Sequence, residues 1–390
     1  MHNPQIFLST CEFSGDRHGA ALIRELKEQL PAAEFFGVGG PQMAAAGMEL
    51  LEDPTSRSTI GIVEALRNIG RMKGLLAAIG ATWEKRRPDV AVWLDSGGFN
   101  LQMALEAKKR GIPVVCMFSP SAWAYWRGRA VKLAERVQLL LAVLPFEAEF
   151  YRKFGVPVVN VGHPVLDWVK TTETPQQTRN RLGVGAAQKL VALMPGSRRQ
   201  EIAKLLPVML EAATGLNAEQ SIRWVLPVAA SLDRSWLESF LQAYPVAVRL
   251  ESGGVYDLLA AADAALIASG TATLEAAILK TPMIVIYRLS GLTLALYQLL
   301  ESREHKGKPR ITGLPNLIAL ESFQRTIVPE FNQENLTAAN IAPALRRILN
   351  DASYQAAIRQ DLEAVTTLVG PPGAMRRAAA EIAALIQKTV

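Results

Sequence analysis

The chain has 390 residues, 49% hydrophobic and 20% charged, which argues against disorder and allows two separately cored domains. Its 42 Lys and Arg against 36 Asp and Glu give a net charge of +6 and a pI near 9.3. That balance favours anionic partners but does not choose among nucleotide, phosphorylated lipid, anionic membrane and nucleic acid.

Two cysteines far apart in sequence, Cys11 and Cys116, argue against a disulfide framework and a structural zinc. The start lacks a basic segment followed by a long apolar one, and no uncharged apolar run approaches the roughly 18 residues of a membrane span. This reads as a cytosolic protein. A mean hydropathy of +0.14 nevertheless suggests an apolar surface.

In chain order, short β-rich runs alternate with longer helical patterns, the mark of parallel α/β construction. The first strand, QIFLS, leads into STCEFSGDRHGA, which carries Glu12, Ser14, Gly15, Asp16 and His18. EFFGV follows, and then IGIVEALRNIGRMKGLLAAIG, where Ile62, Leu66, Ile69, Met72 and Leu76 recur at helical spacing among Arg67, Arg71 and Lys73. Such a helix packs on a core or lies on an anionic bilayer.

VAVWL then ends in DSGGFN, with Asp95 at the strand's carboxyl end, Asn100 beyond the glycines and Phe99 reading as core. PVVCMF opens into a loop with Ser119, Ser121, Trp123, Trp126, Arg127 and Arg129. Aromatics among cations can stack on bases, but this pattern suits a packed loop better, and nucleic acid is not the expected partner. QLLLAVL and VVNVG close the first half. A Pro-, Thr- and Gln-rich stretch from 162 to 188 reads as the linker.

KLVALM opens the second half and is followed by PGSRRQEI. Gly196 and Ser197 would bring backbone N–H groups to a helix start, and Arg198 offers a planar fork to phosphate oxygens. RWVLPV and AVRLE come next. AALIA then runs into Ser269, Gly270 and Thr271 at the mouth of a helix, where unpaired donors and about half a positive charge attract an anion. Glu275, one turn in, can accept from a ribose diol. A simple helix cap explains either element alone; two after two strands of one domain describe a nucleotide-diphosphate cradle. MIVIYR and LSGLTLALYQLL follow, the latter a second apolar face, and the helical tail is interrupted by GPPG at 370–373. Neither a Walker loop nor GxGxxG at a strand-to-helix turn is present, which disfavours an ATPase and a dinucleotide enzyme.

The motifs CEFSGDRHGA, GVGGPQMAAAGMEL, SPSAWAYWRGR, LPFEAEFYRKFGVPVVNVGHPVLD, LMPGSRRQEI, ALIASGTATLEAAILKTPMIVIYR and LPNLIA resemble, in order, those of the lipid-A-disaccharide synthase family. The resemblance runs from residue 6 to about 320. It implies two facing Rossmann-like domains of the GT-B type with a cleft between them. It also implies a metal-independent, inverting transfer, with no cofactor, of 2,3-diacylglucosamine from its UDP conjugate to 2,3-diacylglucosamine 1-phosphate.

UDP would then sit at Arg198, Ser269, Gly270, Thr271 and Glu275, with Asn316 near the donor and the acceptor near the first-domain loops. The expected division is an acceptor-side domain at 1–165, a linker at 166–188, a donor domain at 189–353 and a helical tail at 354–390 that crosses back. The expected place is the cytoplasmic face of the inner membrane, peripherally bound to its anionic surface, with a homodimer left open. Two other readings stand beside this one: a related UDP-sugar transferase or epimerase with another acceptor, and a UDP-sugar-binding protein without catalysis.

The chain departs from the family where Gly98 replaces a second Asp, and also at Cys11 and His18. An inverting transfer needs a base for the attacking hydroxyl. The candidates are Asp95 first, then Asp16 and Glu12, since a carboxylate desolvated in a cleft is a better base than usual.

Overall fold

The computed structural model describes residues 3–55, 69–95, 97–119, 128–229, 232–289 and 311–389. These residues form two compact units. The first takes the described residues up to Asp167 and those from Val369 onward; the second takes Trp168–Leu289 and the described residues from 311 to Leu368.

The first unit holds a seven-stranded parallel sheet in the order β3-β2-β1-β4-β5-β6-β7. Its strands are β1 Gln5–Ser9, β2 Glu34–Val38, β3 Met48–Glu52, β4 Val90–Leu94, β5 Val114–Met117, β6 Leu139–Ala142 and β7 Val158–Asn160. All five residues of β4 are buried, as a strand covered on both faces requires, so apolar residues run through it without alternation. Phe7 meets Phe36 and Trp83 edge-on, with centroids 5.4 and 5.0 Å apart, and so seats the helix Ile69–Lys85 on the sheet. The helix Ala374–Thr389 packs on the helix Phe13–Gln29, and Arg377 holds it there by donating through Nη2 to the Val161 carbonyl at 2.7 Å.

The second unit holds a six-stranded parallel sheet in the order β10-β9-β8-β11-β12-β13. Here β8 is Lys189–Met194, β9 Ile222–Val228, β10 Val248–Ser252, β11 Ala264–Ala268, β12 Met283–Tyr287 and β13 Glu330–Asn332. β8 and β11 lie side by side, Ala264 against Val191 and Ile267 against Met194.

In each sheet the chain first builds outward on one side and then returns to build on the other. The reversal falls between β1 and β4 in the first unit and between β8 and β11 in the second. Neighbouring strands whose helices leave in opposite directions open a crevice at their carboxyl ends, where ligands of such sheets bind.

Two strands escape the sequence pattern. β3 carries Glu49 and Glu52 and is only partly buried, and β13 is three residues long and wholly half-buried. In the helix Ile69–Lys85, Met72 and Leu76 pack on the first core and Arg71 binds Glu52 at 2.6 Å; Ile62, Leu66, Arg67 and the Ile69 side chain lie outside the described residues. So do Ser121, Trp123, Trp126, Arg127 and nearly all of the 289–300 segment. Cys11 and Cys116 are buried and are not joined in a disulfide. Among the described residues no helix is long and apolar enough to cross a membrane.

Candidate functional site

In the second unit, β8 ends at Met194 and the turn Pro195–Arg198 delivers the helix Arg199–Asn217. Gly196 sits at φ +110°, and a Cβ there would lie 2.4 Å from Glu201 Oε2. Both facts demand glycine. Glu201 in turn receives Arg198 Nη1 at 2.9 Å, which holds the guanidinium beside the first turn of the helix while Ser197 remains exposed.

On the adjacent strand, β11 hands over to the helix Thr271–Ile278 through Ser269 and Gly270. The Ser269 hydroxyl donates to the Thr312 carbonyl at 2.9 Å, and its N–H donates to Ile286 O at 2.9 Å, fixing the strand end. Gly270 is exposed, with no atom within 4 Å of where its Cβ would stand. Glu275, half-buried, accepts from Tyr256 Oη at 3.1 Å. Because β8 and β11 are neighbours, the Gly196–Arg198 turn and the Ser269–Thr271 turn open at the same end of the same pair of strands.

Asn316 is fully buried; its Oδ1 accepts from Ile327 and Val328 N–H at 2.9 and 3.1 Å, and its Nδ2 donates to Val328 O and Glu330 Oε2, both at 3.0 Å. An amide engaged at both ends in this way supports the loop behind the site instead of touching a donor.

In the first unit, Asp95 follows β4 at φ +54°, a left-handed conformation that is costly for a residue with a side chain. Hydrogen bonds hold it. Asn100 Nδ2 donates to its carbonyl at 2.9 Å, the Trp93 indole N–H donates to the same oxygen, and its carboxylate accepts from Thr10 Oγ1, which lies 3.0 Å from Oδ1 and 3.1 Å from Oδ2. Phe118, just beyond β5, is also left-handed at φ +59°, and the Asp95 N–H reaches Met117 O at 3.3 Å.

Glu12 stands half-buried at the N-cap of the helix Phe13–Gln29, and Ser14 is exposed at its second position. Asn100 is buried; its Oδ1 accepts from Ser9 Oγ at 2.7 Å, which ties β1 to the helix after β4. Asp16 is turned toward the chain's own backbone. It is fully buried and accepts backbone N–H bonds from Gly40 at 3.0 Å and Met43 at 2.9 Å on one oxygen and from Gln42 at 3.0 Å on the other. A carboxylate so occupied caps the helix Pro41–Ala45 and is badly placed to take a proton.

His18 stacks on Phe118 with ring centroids 4.1 Å apart, and Phe118 meets His163 edge-on at 5.9 Å. Burial, then the nearby His163 and Arg17, lower the pKa of His18 to about 3, and burial lowers that of His163 to about 4. Both rings are neutral near pH 7. Sequence reasoning missed Thr10, Glu201 and Tyr256, which hold Asp95, Arg198 and Glu275. The one available signal was a hydroxyl residue ending β1, the strand beside β4.

Two parallel α/β units, each with polar loops at its strand-order reversal, are the architecture of GT-B glycosyltransferases. The calicheamicin glycosyltransferase CalG4 matches it with a TM-score of 0.60 at 15% identity, over 100% of this chain and 99% of that one. The chain belongs to the lipid-A-disaccharide synthase family: the family described as Lipid-A-disaccharide synthetase matches residues 6–384. The lipid-A-disaccharide synthase of Anaeromyxobacter dehalogenans (strain 2CP-C) is 40% identical over 380 residues, 97% of this chain and 96% of its own. That of Syntrophus aciditrophicus (strain SB) is 36% identical over 391 residues, spanning 100% of both.

Proposed function

We propose that the chain transfers 2,3-diacylglucosamine from its UDP conjugate to the 6-hydroxyl of 2,3-diacylglucosamine 1-phosphate, forming the lipid A disaccharide 1-phosphate and UDP. Family membership supports the reaction, and the observation that carries the site is the pair of turns at the carboxyl ends of β8 and β11. N–H groups at Gly196, Ser197, Gly270 and Thr271, together with Arg198, meet the diphosphate as negative charge grows on it. Glu275 accepts from the ribose and Ser269 fixes the strand end.

The acceptor takes the loops of the first unit, beside Glu12, Ser14 and Asp95. Its hydroxyl oxygen attacks the anomeric carbon as the bond to the diphosphate breaks, and Asp95 takes the hydroxyl proton. The net charge of +6 supports peripheral binding to an anionic bilayer on the cytoplasmic face of the inner membrane. Cosedimentation with anionic vesicles that high salt weakens would bear this out.

The test of the reaction is incubation with the UDP conjugate and the monosaccharide 1-phosphate, followed by mass analysis. A disaccharide 1-phosphate with equimolar UDP is expected. UDP release without that product, or binding without turnover, would refute the assignment.

A further inference from the structure

Thr10 joins the two loops of the first unit that would handle the acceptor. Its hydroxyl lies 3.0 and 3.1 Å from the two carboxylate oxygens of Asp95, 85 residues away in sequence. The same oxygen accepts the Glu12 N–H at 3.2 Å. Since a hydroxyl has one proton, accepting from Glu12 turns that proton toward the carboxylate; the other acceptor in reach, Glu12 O, is farther at 3.4 Å. Thr10 is itself fully buried, and its N–H donates to Val38 O at 2.9 Å, so the hydroxyl is carried on a fixed strand end.

Gly15 completes the arrangement. A Cβ at that position would lie 1.9 Å from Asp95 Oδ2 and 2.0 Å from Thr10 Oγ1, so the carboxylate and the hydroxyl together fill the space a side chain would take. Gly98, three residues beyond Asp95, has no atom within 4 Å of its would-be Cβ. Asp95 is thus held toward Thr10 and Gly15.

We propose that Thr10 is the positioning residue for Asp95, fixing the orientation of the carboxylate that receives the acceptor's proton. This rests on Asp95 being the base. In the step itself the acceptor O–H bond breaks and its proton joins one Asp95 oxygen. The sugar's anomeric carbon bonds to the acceptor oxygen, and the diphosphate leaves with the electron pair of the broken bond. Thr10 keeps its own proton throughout and donates its hydrogen bond to the oxygen that retains more charge.

The experiment compares Thr10→Val, Thr10→Ser, Asp95→Asn and the Thr10→Val/Asp95→Asn double variant. It reads kcat, donor KM, UDP affinity and the pH profile of disaccharide formation. Thr10→Val should lower kcat by about 10- to 100-fold through misorientation, with donor KM and UDP affinity unchanged. Its acid limb should move up by about one pH unit, because a hydrogen bond to the charged form is lost. Thr10→Ser should restore both. On Asp95→Asn, Thr10→Val should add nothing.

Among the described residues, the ionisable groups within the loop and first helical turns beside Thr10 are Cys11, Glu12, Asp16, Arg17 and His18, with His163 beyond Phe118. Burial lowers the pKa of the two histidines to about 3 and about 4, so a Glu12→Gln control tells whether a limb above those values belongs to Asp95. Gly15→Ala provides a second route, since its methyl would prise the pair apart and should reproduce the kcat loss if Thr10→Val fails to fold. An inactive Asp95→Asn beside a fully active Thr10→Val and Gly15→Ala would overturn the proposal while leaving Asp95 as base. So would Thr10→Val slowing both backgrounds equally, or Thr10→Ser being as slow as Thr10→Val. A fully active Asp95→Asn would instead remove the premise about the base.

Discussion

Gly98→Asp is the perturbation for which the structure gives opposite signs for stability and activity. Gly98 is exposed, is the second residue of the helix Gly97–Lys109, and has no atom within 4 Å of its would-be Cβ. Adding a side chain there meets no clash. Asp is itself a weak helix former, so exchanging glycine for it is worth only about 0.2–0.4 kcal/mol in propensity, and an acid in the first turn adds about 0.3–1 kcal/mol through the dipole. The sum, about 0.5–1.4 kcal/mol, corresponds to a melting-temperature rise of roughly 1–6 °C for a unit of this size. Under the proposed mechanism activity should go the other way, because the acceptor hydroxyl would enter beside Asp95. Acceptor KM should rise by about tenfold, the equivalent of roughly 1.4 kcal/mol, with UDP affinity unchanged. Differential scanning calorimetry and steady-state kinetics on one preparation read both. A lower melting temperature would refute the open position, and a faster reaction at unchanged acceptor KM would refute Asp95 as the group that limits proton transfer.

Asp16→Asn should lower stability by about 1–3 kcal/mol, since an amide cannot accept on both sides from the Gly40, Gln42 and Met43 N–H groups, and UDP affinity should not change; calorimetry checks both. His18 and His163 are buried with lowered pKa values, so below pH 6.5 the unfolded chain binds protons that the native state refuses. Stability should therefore fall as pH drops from 6.5 toward 4, and His18→Phe, which keeps the ring on Phe118, should flatten part of that slope in thermal melts. Gly196→Ala should weaken UDP binding by tenfold or so, because strain at φ +110° and collision with Glu201 displace the Arg198 anchor; titration calorimetry would read the loss.

The buried strands were legible because both faces of each sheet are covered, so β4 and β11 are unbroken apolar runs. β3 was not, because its two glutamates and half-exposed pattern read as loop, and β13 is too short to show a period. Within the sites, the strand-end loops could be read from their chemistry. The direction in which each polar side chain turns could not. Asp16, Asn100 and Asn316 are the residue types that bind substrates, yet all three are buried and bonded to the chain's own groups. Thr10 stayed hidden for the converse reason: next to Ser9 it reads as the tail of a strand, and its partner Asp95 becomes a neighbour only once β1 and β4 pair.

The central claim is a division of labour, with donor binding in the second unit and proton removal in the first. The most direct measurement takes Arg198→Ala and Asp95→Asn and determines, for each, UDP affinity by calorimetry and disaccharide formation in a single turnover. Arg198→Ala should weaken UDP by about 10- to 150-fold, the worth of a charge-assisted hydrogen bond of about 1.5–3 kcal/mol. Asp95→Asn should bind UDP as the unaltered protein does and transfer roughly 100- to 10,000-fold more slowly. Near-full transfer by Asp95→Asn, or UDP binding untouched by Arg198→Ala, would contradict the account.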